Sequence, residues 1–210
     1  MKELANGHKW KYAFYTVTHP LDAYYEIRHR NEGSVAIAIV LVVLSSISFS
    51  VNRYAASFIV NDINPLSVNS LTELISVLLL YFLFCIGNWS VTCLMNGEGR
   101  FKDILIAVGY AMIPLIVCFN LGTIFSQFVT KSEAAFYWII IGLGIAWAVI
   151  MVLMGIMTIH NYSLGKTLLT ILLTFVAMLI IIFVVLLLAD LINQVYTFLH
   201  SIYQELIFRT

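Results

Sequence analysis

Between Glu133 and Lys166 the chain runs for 32 residues without a single Asp, Glu, Lys or Arg. Crossing the hydrocarbon core of a bilayer takes roughly 20 predominantly apolar residues in a helix. Four more charge-free windows reach that length: 20 residues between Glu32 and Arg53, 24 between Glu73 and Glu98, 27 between Asp103 and Lys131, and 23 between Lys166 and Asp190. The window from Asp190 to Glu205 holds only 14 and falls short. The pattern predicts five transmembrane helices near residues 35–52, 75–96, 104–128, 136–158 and 167–189. Runs such as Met178 to Leu188 show none of the in–out alternation of a barrel strand, and a spanning strand is about half as long. In lipid a helix satisfies its own backbone, whatever its content of β-branched residues.

Composition agrees. Apolar residues make up 61% and charged residues 10% of the 210, against about half and a quarter in soluble domains. These figures exclude a soluble enzyme, a disordered tail and a basic nucleic-acid module. Cys85, Cys93 and Cys118 are too few and too scattered for a disulfide framework or a CxxC metal site and read as buried, inert thiols.

The fold class is therefore an all-α polytopic membrane bundle. It divides into an N-terminal segment (1–33), a five-span domain (34–190) and a tail (191–210). Lys and Arg favour the segments on the N-terminal side of the membrane, eight against three, which places the N-terminus in the cytoplasm and the C-terminus outside. The first apolar stretch begins at Ser34, so the first span is expected to serve as the targeting signal.

Two flanking pieces are amphipathic. Trp10, Tyr12, Phe14, Tyr15, Tyr24 and Tyr25 alternate with Lys9, Lys11, Arg28 and Arg30. Thr18-His19-Pro20 marks a break and a new helix start, with Pro at the first helical position. That combination suggests a helix lying in the cytoplasmic interface, or else a docking element for a partner. Leu191, Ile192, Val195, Tyr196, Leu199, Ile202, Tyr203, Leu206 and Ile207 recur at helical spacing in the tail, which is expected to lie along the outer surface or to pack on the bundle.

Candidate chemistry is sparse. Asn88 lies inside the second span, as glue between helices or as a contact for a substrate or lipid headgroup. Pro114 in the third span leaves the Tyr110 carbonyl without its donor, as a kink or as a broken helix lining a path. Ser45, Ser46, Ser48 and Ser50, and the pairs Ala107/Ala111 and Gly144/Ala148, suit close helix packing. Gly97-Glu98-Gly99 reads as a tight turn rather than a phosphate loop. The single Glu26/His29 pair is half of what a di-metal bundle needs. Asn161-Tyr162-Ser163-Leu164-Gly165 fails the nucleophile-elbow pattern. His160 ends the fourth span on the cytoplasmic side. No cofactor, metal or catalytic residue is expected.

Several short motifs in order carry a resemblance. They are His19-Pro20-Leu21-Asp22, Gly87-Asn88-Trp89, Asn96-Gly97-Glu98-Gly99 with Phe101, Gly109-Tyr110-Ala111-Met112-Ile113-Pro114, Trp147, and His160-Asn161-Tyr162-Ser163. Together they resemble the Yip family of five-span membrane proteins, in particular its short bacterial members. The resemblance implies a five-span bundle with a cytoplasmic N-terminus. It also implies an accessory membrane protein, with a sugar-uptake system as a candidate partner. Eukaryotic members contact prenylated Rab-type GTPases. The Asp-Leu-Tyr-Gly-Pro signature is absent here, so that binding is not carried over.

Placed on this topology, His19, Pro20, Gly97, Gly99, His160 and Ser163 fall at the cytoplasmic boundary. Asn88, Tyr110 and Pro114 follow them into the inner half of the membrane, and Trp89 is a further motif position beside Asn88. The working surface is therefore expected to face the cytoplasm. The expected function is a non-enzymatic adaptor or accessory protein that meets a membrane-protein partner or a second copy of itself; the alternative is a small-molecule or lipid transporter using the polar inner half of the bundle.

Overall fold

A computed structural model describes residues 2–208. These form eight α-helices: α1 (Lys2–Thr18), α2 (Pro20–Arg30), α3 (Val35–Ala55), α4 (Ser70–Leu94), α5 (Phe101–Tyr110), α6 (Ile113–Ser126), α7 (Ala134–His160) and α8 (Leu164–Phe208). No strand occurs among the described residues. Five helical stretches are long and apolar enough to cross a membrane, with α5 and α6 counting as one. The chain is an integral, multi-pass membrane protein.

α3, α5, α6 and α7 form the packed centre, and α4 lies between α3 and α8. Small residues allow these approaches. A Cβ on Gly109 would stand 2.6 Å from the Ala38 Cβ, and one on Gly144 would stand 2.5 Å from the Cys118 Cβ. Such positions let backbones meet where lipid supplies no hydrophobic drive for helix pairing.

Pro114 kinks the third span. α5 ends at Tyr110 and α6 resumes at Ile113. Between them Ala111 and Met112 keep right-handed dihedrals. The Met112 N–H turns back to the Gly109 carbonyl at 3.2 Å. The break is a tightened turn within one span, and the two halves continue across it.

Both flanking pieces differ from expectation. The N-terminal helices do not simply lie in the interface: α2 buries Ala23, Tyr24 and Ile27 against the end of the bundle, and α1 packs on α2. At the other end no break separates a fifth span from a tail helix. α8 runs unbroken for 45 residues, roughly 67 Å at 1.5 Å per residue, against a hydrocarbon core of about 30 Å. Nothing near Asp190 stops a helix: residues 181–200 contain neither Gly nor Pro, and polar side chains bond within the helix. The Gln194 Nε2 donates to the Asp190 Oδ2 at 2.9 Å, and Thr197 and Ser201 donate to carbonyls four residues back. The described side chains beyond 190 are exposed, so this stretch neither packs on the bundle nor folds back.

Candidate functional site

The α1–α2 cap is fixed to the bundle by buried tyrosines. Tyr24 is fully buried, and its hydroxyl donates to the Ala107 carbonyl at 3.3 Å. It fits because Gly155 faces it: a Cβ there would lie 3.3 Å from the Tyr24 ring and 3.1 Å from the Ala107 Cβ. The Tyr12 hydroxyl donates to the Ala23 carbonyl at 2.9 Å and to Glu26 at 3.1 Å, tying α1 to α2. Burial pushes both phenols above their ordinary pKa, so they remain neutral donors.

Arg28 locks the cap to both neighbouring loops. Its Nη1 donates to the Ile159 carbonyl at 2.7 Å, near the C-terminal end of α7 where the helix dipole favours a cation. Its Nη2 is hydrogen-bonded to Glu98 in the loop between α4 and α5. That bond and the guanidinium charge hold the Glu98 carboxyl below the usual carboxylate range. A depressed folded-state value means the contact is fully present above the ordinary carboxylate pKa. It is lost as pH falls through the lowered value. Arg28→Ala removes both bonds, and faster amide exchange over residues 96–100, with little change in α3, is the expected result by hydrogen-exchange mass spectrometry.

Beneath this clasp the same loop closes on His160. The Gly99 N–H donates to the His160 Nδ1 at 3.2 Å, and the Tyr162 hydroxyl donates to the Met95 carbonyl at 3.1 Å. The His160 and Tyr162 rings stack at 5.3 Å. Accepting at Nδ1 assigns the proton of the neutral imidazole to Nε2. That Nε2 is buried with no partner among the described residues. Glycine is required at both loop positions by close approach: a Cβ on Gly97 would lie 2.6 Å from the His160 Nδ1, and one on Gly99 would lie 2.7 Å from its Cε1. Above them a cleft of about 580 Å³ opens, with Asp22, Tyr25, Arg28, His29, Glu98 and Asn161 in its wall.

The structure thus gathers Gly97, Gly99 and His160 into one cluster and separates the other candidates. His19 is exposed, stacked on Tyr15 at 4.8 Å, with Pro20 opening α2 behind it. Ser163 is exposed and supplies the carbonyl that starts α8, accepting from the Thr167 N–H at 2.9 Å. Asn88 is fully buried, its Nδ2 donating to the Thr174 Oγ1 at 3.1 Å, while its Oδ1 has no partner among the described residues. That bond joins α4 to α8. Trp89 turns outward with its edge to Phe101 at 5.7 Å. The Tyr110 hydroxyl accepts from the Ser34 N–H at 3.1 Å and fixes the start of α3. Pro114 is buried at the start of α6, where a Cβ on Gly144 would stand 3.4 Å from its carbonyl oxygen.

Sequence reasoning passed over Arg28, Asn31, Glu98 and Arg100 as partners, because their contacts join residues about 70 positions apart or more. It also passed over a polar network at the opposite end of the bundle. There the Tyr137 hydroxyl donates to the Asn52 Oδ1 at 2.9 Å, and the Asn52 Nδ2 donates to the Thr123 Oγ1 at 2.9 Å. Close by, Glu73 is clasped by Arg53 and Ser50. The one visible signal was Asn52-Arg53 placed just before the end of an apolar run. The cysteines need a correction. Only Cys85 is buried; Cys118 is half-buried and Cys93 is exposed. No cluster of metal-ligating side chains occurs among the described residues.

Comparison with known protein families gives a match over most of the chain. The family model described as the Yip1 domain covers residues 14–197. No curated protein and no solved structure matches the chain.

Proposed function

The chain belongs to the Yip1 domain family, and from that membership we propose that it is a non-enzymatic membrane adaptor that receives a partner on the α1–α2 cap. The observation that carries this reading is a rigid cap with apolar side chains turned outward. Phe14 and Tyr25 are 58% and 56% exposed and Leu21 is 47% exposed, on helices whose other faces are fixed by Tyr12, Tyr24 and Arg28. Large aromatics on a pre-ordered surface bind at low entropic cost. The Lys and Arg distribution supports a cytoplasmic cap and an outer C-terminus, and the membrane of this reading is the bacterial cytoplasmic membrane. A membrane transporter of the sugar-uptake class is the proposed partner, and a second copy of this chain is the other candidate.

The transport alternative has less support. One cavity within the membrane-spanning region, about 480 Å³ between α4, α6, α7 and α8, is walled by Phe84, Met112, Phe119, Val152 and Phe175. Such a lining suits an acyl chain and offers a polar solute nothing. Gentle solubilisation and co-purification test the choice. A stoichiometric membrane-protein partner is expected with the wild type, and its loss with Phe14→Ala/Tyr25→Ala. A lone, monodisperse protein that moves solute or lipid across vesicles would overturn the adaptor reading.

A further inference from the structure

We propose that a second cleft at the cap end, between α1, α3 and α5, binds a phosphate group, carried either by an anionic phospholipid headgroup or by a soluble phosphate ester. The cleft has a volume of about 610 Å³, and Lys9, Arg100 and Lys102 stand in its wall beside Asn31 and Ser34. Asp103 is the carboxylate in that wall. It is buried and already engaged by the Arg100 Nε at 2.8 Å. Glu32, next to Asn31 in sequence, is not one of the wall residues. Among the wall residues three cations stand with one carboxylate.

The hydrogen bonding sharpens this imbalance. Arg100 Nη2 and Lys102 Nζ both donate to the same acceptor, the Asn31 Oδ1, at 3.0 and 2.8 Å. A neutral amide oxygen orients two cations without compensating either. Asn31 holds this place in a left-handed conformation, φ 53°, at the C-cap of α2. Asp103 answers Arg100 alone, and a second anion beside Lys102 would relieve the repulsion between the two cations.

Helix direction adds to the field. α3 starts at Val35 and α5 at Phe101, so two helices of 21 and 10 residues point their positive ends toward the same cleft. Phosphate suits the donors present, since a guanidinium and two ammonium groups can reach several of its oxygens. Beside these cations the cleft wall turns apolar at Ile27, Val35 and Ile106, where α3 enters the membrane-spanning region. A charged mouth with an apolar side at that depth matches the junction of a lipid phosphate and its glycerol.

Native mass spectrometry of the full chain tests the proposal with phosphatidylglycerol, phosphatidylcholine and inorganic phosphate as probes. Retention of phosphatidylglycerol over phosphatidylcholine is expected, falling roughly thirtyfold in Lys9→Gln/Lys102→Gln, since each lysine near the surface contributes about a factor of five. Lys131→Gln, at the opposite end of the bundle, is expected to leave retention unchanged. Competition by inorganic phosphate, or a phosphate-dependent rise in unfolding temperature without lipid preference, supports the soluble source. Both cation substitutions lie on exposed or half-buried side chains and spare Arg100, and an unchanged unfolding temperature without ligand verifies their fold. Equal retention of the two lipids with no response to phosphate overturns the proposal, as does a double variant that folds and binds like the wild type.

Discussion

Tyr24→Ala is expected to lower stability by about 3 kcal/mol or more and to release the α1–α2 cap. The ring is fully buried between α5 and α7, and truncating a buried aromatic removes its contacts and leaves a cavity, typically at 3–5 kcal/mol. Tyr24→Phe keeps the packing and loses only one 3.3 Å hydrogen bond, so its effect is expected to be about 1 kcal/mol or less. Thermal unfolding in detergent gives the ranking, and limited proteolysis between residues 30 and 35 reports whether the cap has undocked. Equal behaviour of the two variants would mean that the cap is held from elsewhere, with Arg28 as the next contact to test. Because the cap carries the proposed docking surface, Tyr24→Ala should also abolish co-purification of a partner.

The second large effect separates two glycines that look alike in sequence. Gly109→Ala places a Cβ 2.6 Å from the Ala38 Cβ and 2.9 Å from the Ala38 backbone. Backbone cannot give way as a side-chain tip can, so α3 and α5 must separate, at about 1–3 kcal/mol of overpacking. Gly142→Ala in α7 meets nothing within 4 Å, and here the same change is expected to stabilise by up to about 1 kcal/mol through helix propensity. Opposite signs in the unfolding temperatures are the prediction. A neutral Gly109→Ala would mean that α3 and α5 are less closely packed than their backbone distance implies.

The five apolar helices were legible because hydrocarbon selects on local composition, which a sequence carries openly. The kink at Pro114 and the helix start at Pro20 were legible for a related reason, since proline acts on its own turn. What depends on distant residues was not. Tyr24 looked like one more interfacial aromatic, and only Gly155, 131 positions later, makes room to bury it. Arg28 and Glu98 looked like ordinary boundary charges until the fold joined them across 70 residues. Asp190 looked like the end of a span, yet a single carboxylate bonded to Gln194 does not interrupt a helix, and α8 continues past it. The candidate site was legible in part: Gly97, Gly99 and His160 meet, while Asn88 and Pro114 serve the packing of the spans, Trp89 turns outward and His19 stands apart on the surface.

The central claim, a partner received on the α1–α2 cap, is tested most directly by photo-crosslinking in intact cells. A photoreactive residue replaces Tyr25 on the cap in one variant and Lys131 at the opposite end of the bundle in another. The account predicts a discrete crosslinked membrane-protein species from position 25 and none from position 131. Crosslinking to protein from position 131 alone would contradict it.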